Sequence, residues 1–120
     1  MFDHVGLKVS DLARSLRFYQ ATLGALGHEV GSQGDGYAGL GPAGAPALWL
    51  YAHAGAIGPG THLAFVARDR DAVTRFHAQG LKNGGRDNGK PGLRSEYSAN
   101  YYAALLLDPD GHNVEAVCFS

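Results

Sequence analysis

The sequence predicts an α+β fold made of two βαβββ modules. Three observations carry that expectation. The chain resembles itself at an offset of about half its length, each half opens with a strand and a capped helix, and the second half ends in a strong hairpin. The repeat is visible residue by residue. His4-Val5-Gly6-Leu7 opens the first half and His62-Leu63-Ala64-Phe65 opens the second. In the same register Asp11 meets Asp69, Arg17 meets Arg75, Phe18 meets Phe76 and Leu23 meets Leu81. A histidine, a helix-capping aspartate and an Arg-Phe pair in one register point to duplication of a supersecondary unit. The 120 residues then read as one domain, with modules at about 1–56 and 57–120.

In the first module Val5, Leu7 and Val9 alternate with His4, Gly6 and Lys8, the period of a half-buried strand. Asp11 is placed to cap a helix. Leu12, Leu16, Tyr19 and Leu23 follow on one helical face, and Gly24 is the expected stop. Three strand-like runs follow, at roughly His28 to Val30, Gly36 to Leu40 and Ala47 to Ala52. In the second module Leu63, Phe65 and Ala67 alternate with His62, Ala64 and Val66, Asp69 caps, Val73 and Phe76 form a thinner stripe, and Gly80 is the expected stop. A weak run near Lys82 to Arg86 precedes what reads as a long polar loop from Asp87 to Asn100, a length often associated with function. Tyr101 to Leu107 and Asn113 to Phe119 are strong strands. Asp108-Pro109-Asp110-Gly111 joins them, with Pro at the second turn position and Gly at the last. The linker between modules is Gly55 to Gly60.

Composition narrows the function classes. The apolar share, 45%, is near the globular norm, and a formal net charge of −1 gives no electrostatic footprint for nucleic acid or an anionic membrane. No run is long and uncharged enough to span a bilayer, and patterned sequence starts at the N-terminus without a signal peptide. The single cysteine, Cys118, excludes an internal disulfide framework and suggests a cytoplasmic protein. The 18 glycines cluster in turns without a period, which suits many short strands.

Strand alternation sorts the side chains by face. His4 and His62 point away from the helix-covered faces, and in the last strand Asn113, Glu115 and Val117 oppose Val114 and Ala116. The small neighbours Gly6 and Ala64 leave space on those faces. Two imidazoles and a carboxylate suit a divalent ion such as Zn, Fe, Mn, Ni or Co, with positions left for water or substrate. A strand histidine is more often an ordinary hydrogen-bonded polar residue, but a duplicated strand delivers two of them to equivalent places. His28, His53, His77 and His112 read as surface or turn residues, and Phe18, Tyr19 and Phe76 as core.

The opening DHVGLKVSDLARSLRFYQATLGALG and the ending NYYAALLLDPDGHNVEAV resemble the first strand and helix and the last hairpin of the vicinal oxygen chelate superfamily, also called the glyoxalase, bleomycin-resistance and dioxygenase superfamily. The resemblance spans essentially the whole chain. It implies that the modules curl into a mixed sheet around a cavity, with metal ligands on the first and last strands of each module. His4, His62 and Glu115 match three of those ligand positions. The fourth falls within ALWLYA, at or near Trp49, where no carboxylate or histidine stands. That departure argues against glutathione-dependent glyoxalase chemistry. The remaining set looks more like extradiol dioxygenases or fosfomycin-modifying transferases. The resemblance implies a metal-dependent enzyme, of lyase, isomerase or dioxygenase type, acting on a small oxygen-bearing substrate as a homodimer. Tyr101 is the candidate acid or hydrogen-bond donor by strand face, and Arg94 and Lys90 are candidates to meet an anionic substrate. The alternative is a metal-free protein of bleomycin-resistance type that sequesters a small molecule against an aromatic wall of Trp49, Tyr51, Tyr101 and Tyr97.

Overall fold

The structure, a computed structural model, describes residues 1–58 and 60–120. The two aspartates in register start the two helices. Asp11 accepts the Arg14 amide at 3.1 Å and opens α1 (Leu12–Ala25), and Asp69 accepts the Ala72 amide at 2.8 Å and opens α2 (Arg70–Lys82). Strand β1 (Val5–Val9) precedes α1, and β2 (Glu29–Gly34), β3 (Tyr37–Gly41) and β4 (Leu48–Ala52) follow it. The second half repeats the plan with β5 (His62–Val66), α2, β6 (Arg86–Leu93), β7 (Tyr102–Leu107) and β8 (Asn113–Cys118). The two βαβββ modules are therefore present. Each forms a four-stranded mixed sheet, in the orders β1-β4-β3-β2 and β5-β8-β7-β6. In each the first pair is parallel and the others antiparallel. The expected linker includes Pro59, which lies outside the described residues.

The modules join through their helices, and among the described residues the two sheets share no ladder. One apolar cluster runs through both, with Phe18, Tyr19 and Leu23 of α1 and Val73 and Phe76 of α2 packed on Leu7, Val9, Leu40, Leu50, Leu106 and Val114. Each such side chain contributes roughly 1.5–3 kcal/mol on burial. A surface pair such as Arg75–Asp71, four residues apart on α2, is worth only about 0.3–0.5 kcal/mol, so packing of the helices decides the arrangement.

Neither helix stops at the expected glycine. α1 ends at Ala25 and α2 at Lys82, and the left-handed residues after them are Gly27 (φ 91°) and Gly84 (φ 98°). Gly80 instead permits close approach. A Cβ there would stand 2.2 Å from Leu106 Cδ1 and 3.1 Å from Thr22 Cγ2, and both residues are fully buried. The repeat also breaks in packing, since Leu23 is buried and its counterpart Leu81 is exposed.

The hairpin turn forms as expected, with Gly111 N donating to Asp108 O at 2.9 Å and Gly111 at φ 87°. Its first residue does more than turn the chain. Asp108 is buried and accepts three hydrogen bonds, from Tyr19 Oη at 2.5 Å and from the amides of Asp110 and His112 at 2.9 Å each. Burial, and then the Asp108 carboxylate, hold the Tyr19 phenol well above its ordinary pKa. Asp110 takes the Ser10 amide at 3.1 Å and its hydroxyl, which ties the hairpin to the end of β1.

Two expectations are corrected. Residues Arg86–Leu93 form β6, so the loop expected from Asp87 to Asn100 shrinks to the segment after Leu93. The strand is polar, carries Pro91 and shifts register between Asp87 and Gly89 and again between Gly89 and Gly92, as an edge strand can. His77 and His112 are buried, 7% and 2% exposed, not surface residues. Val73, Phe76, His77 and Gly80 make an i, i+3, i+4, i+7 set on α2, so His77 belongs to its inner face. His77 Nε2 donates to Asp87 Oδ1 at 2.9 Å and pins β6 to α2. That bond first, and then the Gly89 amide, hold the Asp87 carboxyl below its ordinary pKa.

Two outcomes are expected. Gly80→Ala should destabilise the protein by about 1–3 kcal/mol through overpacking, outweighing the gain of up to about 1 kcal/mol in helix propensity. An unchanged or raised urea midpoint would show that α1 and α2 are not in close contact there. Asp108→Ala should cost about 2–4 kcal/mol in the same measurement, because two amides and a buried phenol lose their acceptor.

Candidate metal and ligand site

Glu115 stands in the middle of β8, between Ala64 of β5 and Leu105 of β7. Its side chain lies on the face away from α2, yet it is 5% exposed because its neighbours close over it. His62 Nε2 is 3.2 Å from Glu115 Oε1, and Tyr101 Oη donates to Glu115 Oε2 at 2.5 Å. The strand register explains the first contact. His62 pairs with Asn113, two residues before Glu115 on the same face, and the methyl of Ala64 leaves the imidazole room to lean toward the carboxylate. Tyr101, one residue ahead of β7, is held from outside by Tyr97 and Phe119, at ring-centroid distances of 5.1 and 5.4 Å. Its phenol pKa is pushed up to about 12, chiefly by the hydrogen bond to Glu115, with burial and the charges of Glu115 and Tyr97 adding and Arg94 opposing.

The imidazole's orientation bears on metal binding. His62 Nδ1 lies 3.2 Å from the Asn113 carbonyl, which can only accept, so Nδ1 carries a proton. In the neutral ring Nε2 then presents its lone pair to Glu115 Oε1. Two electron-rich atoms face each other at 3.2 Å, and a proton or a cation between them relieves the repulsion. A backbone carbonyl fixing Nδ1 is also the usual support of a metal-binding histidine. The pair is thus a fitting donor set for part of a divalent-ion site.

These groups line a cavity of about 380 Å³ together with Arg94, Tyr97, Leu105 and Asn113. His4 is not among them. It lies ahead of β1, its Nδ1 2.6 Å from Asp3 Oδ1, and shares with His62 an adjoining groove of about 450 Å³ between the modules. Among the described residues, no three His, Cys, Asp or Glu side chains are gathered as a metal site. Trp49 and Tyr51 lie on the other sheet, on its face away from α1. The Trp49 ring covers Gly39, and the Tyr51 ring fills the space above Gly6, 3.1 Å from where a Cβ would stand. Of the expected aromatic wall Tyr97 and Tyr101 line the Glu115 cavity, and Trp49 and Tyr51 do not. Sequence reading missed Leu105, and it missed the Asn113 carbonyl, a backbone group whose role no side-chain pattern reveals.

The family model described as the Glyoxalase/Bleomycin resistance protein/Dioxygenase superfamily matches residues 1–116. The chain belongs to this superfamily. A solved glyoxalase/bleomycin resistance protein from Albidiferax ferrireducens is similar to it, at 32% identity and a TM-score of 0.87 over 98% of each chain. A putative glyoxalase from Bacillus halodurans is 25% identical, with a TM-score of 0.71 over 98% of this chain and 94% of the other. A family enzyme from Burkholderia phytofirmans, 18% identical over 98% of each chain with a TM-score of 0.76, shares the fold. No curated protein matches the chain. No helix among the described residues is long and apolar enough to cross a membrane.

One titration tests the Tyr101–Glu115 bond. A raised phenol pKa means that the bond's contribution is complete below about pH 10 and is lost as pH rises through about 12. Glu115→Gln removes the anionic acceptor, so the Tyr101 midpoint should fall toward ~10, an ordinary phenol. Ultraviolet phenolate titration, with Tyr101→Phe to assign the step, checks it. An unmoved midpoint would mean that burial, not Glu115, sets the value.

Proposed function

We propose that the protein is a divalent-metal enzyme that acts on a small oxygen-bearing substrate, with His62, Glu115 and His4 as ligands. The observation that carries the reading is the His62–Glu115 pair, with Nδ1 fixed by Asn113 O and Nε2 turned to the carboxylate. Bound there, the ion would act as a Lewis acid on adjacent substrate oxygens. Tyr101 would hold Glu115 in place, or release that bond and turn its one proton to the substrate as a hydrogen-bond donor or as an acid.

His4 would complete the set when two copies of the chain pair, the first module of one covering the second module of the other. This reading is supported by the uncovered aromatic side chains of both modules, Tyr37 and Tyr51 in the first and Tyr97 and Phe119 in the second, all of them exposed. Trp49, at the place of a fourth family ligand, would then form an apolar wall of the shared cavity. The single buried thiol, Cys118, suits a cytoplasmic homodimer.

A second reading is favoured by one observation. With one proton between His62 and Glu115, both Glu115 oxygens have partners within the chain, His62 and Tyr101, and the described residues gather no third metal donor. On that reading the protein is a metal-free binding protein, and the aromatic faces sequester a small apolar molecule.

Metal analysis and sedimentation of the purified protein separate the two. The enzyme reading expects a sedimenting dimer with a stoichiometric transition-metal ion, which each of His4→Ala, His62→Ala and Glu115→Ala loses while staying folded. A protein that takes up no ion after reconstitution with Zn, Fe, Mn, Co and Ni is the binding protein instead.

A further inference from the structure

The Glu115 cavity contains a cation with no job in the metal reading. Arg94 lines it, and its guanidinium is fixed from two sides. Nη2 donates to the Lys90 carbonyl at 2.7 Å. The group lies against the backbone of β6 at two glycines, where a Cβ on Gly92 would be 3.2 Å from Nη1 and one on Gly89 would be 3.2 Å from Nη2. The strand's two register shifts fall at these same residues, so the irregular backbone of β6 forms a shelf for the guanidinium. The main chain is anchored as well. Arg94 N donates to Tyr101 O at 2.7 Å, and Arg94 O accepts from Tyr97 N at 3.0 Å. The short turn from Arg94 to Tyr101 thereby sets the cation, the Tyr97 ring and the Tyr101 phenol around one opening.

Among the described residues, no carboxylate lies within ion-pair distance of Arg94. The carboxylate in the cavity, Glu115, turns its two oxygens to His62 and Tyr101. A half-buried guanidinium with one donor on a carbonyl retains four N–H groups, arranged as a planar fork. That fork matches a carboxylate in bidentate geometry. The walls on either side are flat or apolar, formed by Tyr97, Tyr101 and Leu105, in a space that fits a small molecule.

We infer that Arg94 is a specificity residue that binds the carboxylate of a small, flat carboxylic acid, an aromatic or conjugated one, in the His62–Glu115–Tyr101 cavity. The inference deepens the proposed ligand site and rests on that cavity being where the substrate binds. It does not depend on which ion, if any, is held there. Arg94 orients the ligand by its acid group, and the ligand's ring or conjugated part lies along the tyrosines.

The test uses benzoate and its neutral near-isostere benzamide as probes, with the full-length protein stripped of metal by a chelator, and follows binding by NMR titration. Benzoate should bind at least about tenfold more tightly than benzamide, as expected for a desolvated charge-assisted pair. Arg94→Gln should bring the two affinities together by weakening benzoate and leaving benzamide unchanged. Arg94→Lys should keep only part of the preference, because a point charge replaces a fork. Equal binding of the two probes, binding of neither, or a preference that survives Arg94→Gln each overturns the inference. Because the probes are titrated into metal-stripped protein, the benzoate preference reports on Arg94 alone, and metal uptake by the untreated protein reports separately on the proposed ligands.

Discussion

Each module has a sheet with two faces and a single helix to cover one of them. The rest of the structure depends on that shortfall. Helices α1 and α2 bury their inner stripes against their own sheets and against each other, so the shared core collects around Phe18, Tyr19, Leu23, Val73 and Phe76. The contact is close because Gly80 has no side chain where Leu106 and Thr22 press in. What remains is one uncovered face on each sheet, and chemistry-bearing residues stand on those faces. A fold with a helix on both sides of each sheet would have no place for the Glu115 cavity.

On the second module's open face, a buried carboxylate would be costly if left unpaired. Glu115 offsets part of that cost by accepting from Tyr101, and a proton or cation between it and His62 would offset more. The Asn113 carbonyl settles which imidazole nitrogen is free, and the Tyr97–Tyr101–Phe119 stack holds the phenol in position. Among the described residues the first module's face has no such network. Its space is filled by aromatic rings lying over glycines, Tyr51 on Gly6 and Trp49 on Gly39. The two modules share one frame, and their open faces carry different chemistry.

Much of this is legible in the residues. The capping aspartates, the alternation of β1, β5 and β8, the hairpin turn and the paired modules follow from local rules of spacing and turn chemistry, and the structure bears them out. Strand β6 is not legible, because Asp87, Asn88, Gly89, Pro91 and Gly92 carry no strand pattern. It forms because β7 offers it an edge. The burial of His77 was readable from the helical spacing of Val73, Phe76 and Gly80, but residue type argued the other way. That of His112 follows from the hairpin closing over Asp108, a contact with distant α1.

The sequence by itself determined the modules, their order and the strand faces on which His62 and Glu115 stand, since strand and helix periods are local properties of the chain. It also pointed to Glu115 and His62 as residues of one face. Only the tertiary structure decided that these two meet while His4 stands apart, that Tyr101 bonds to Glu115, and that Arg94 lies on a glycine shelf beside them. Those outcomes depend on how far a strand is shifted against its neighbour and on how two modules pack, and both are fixed by contacts between residues distant in the chain.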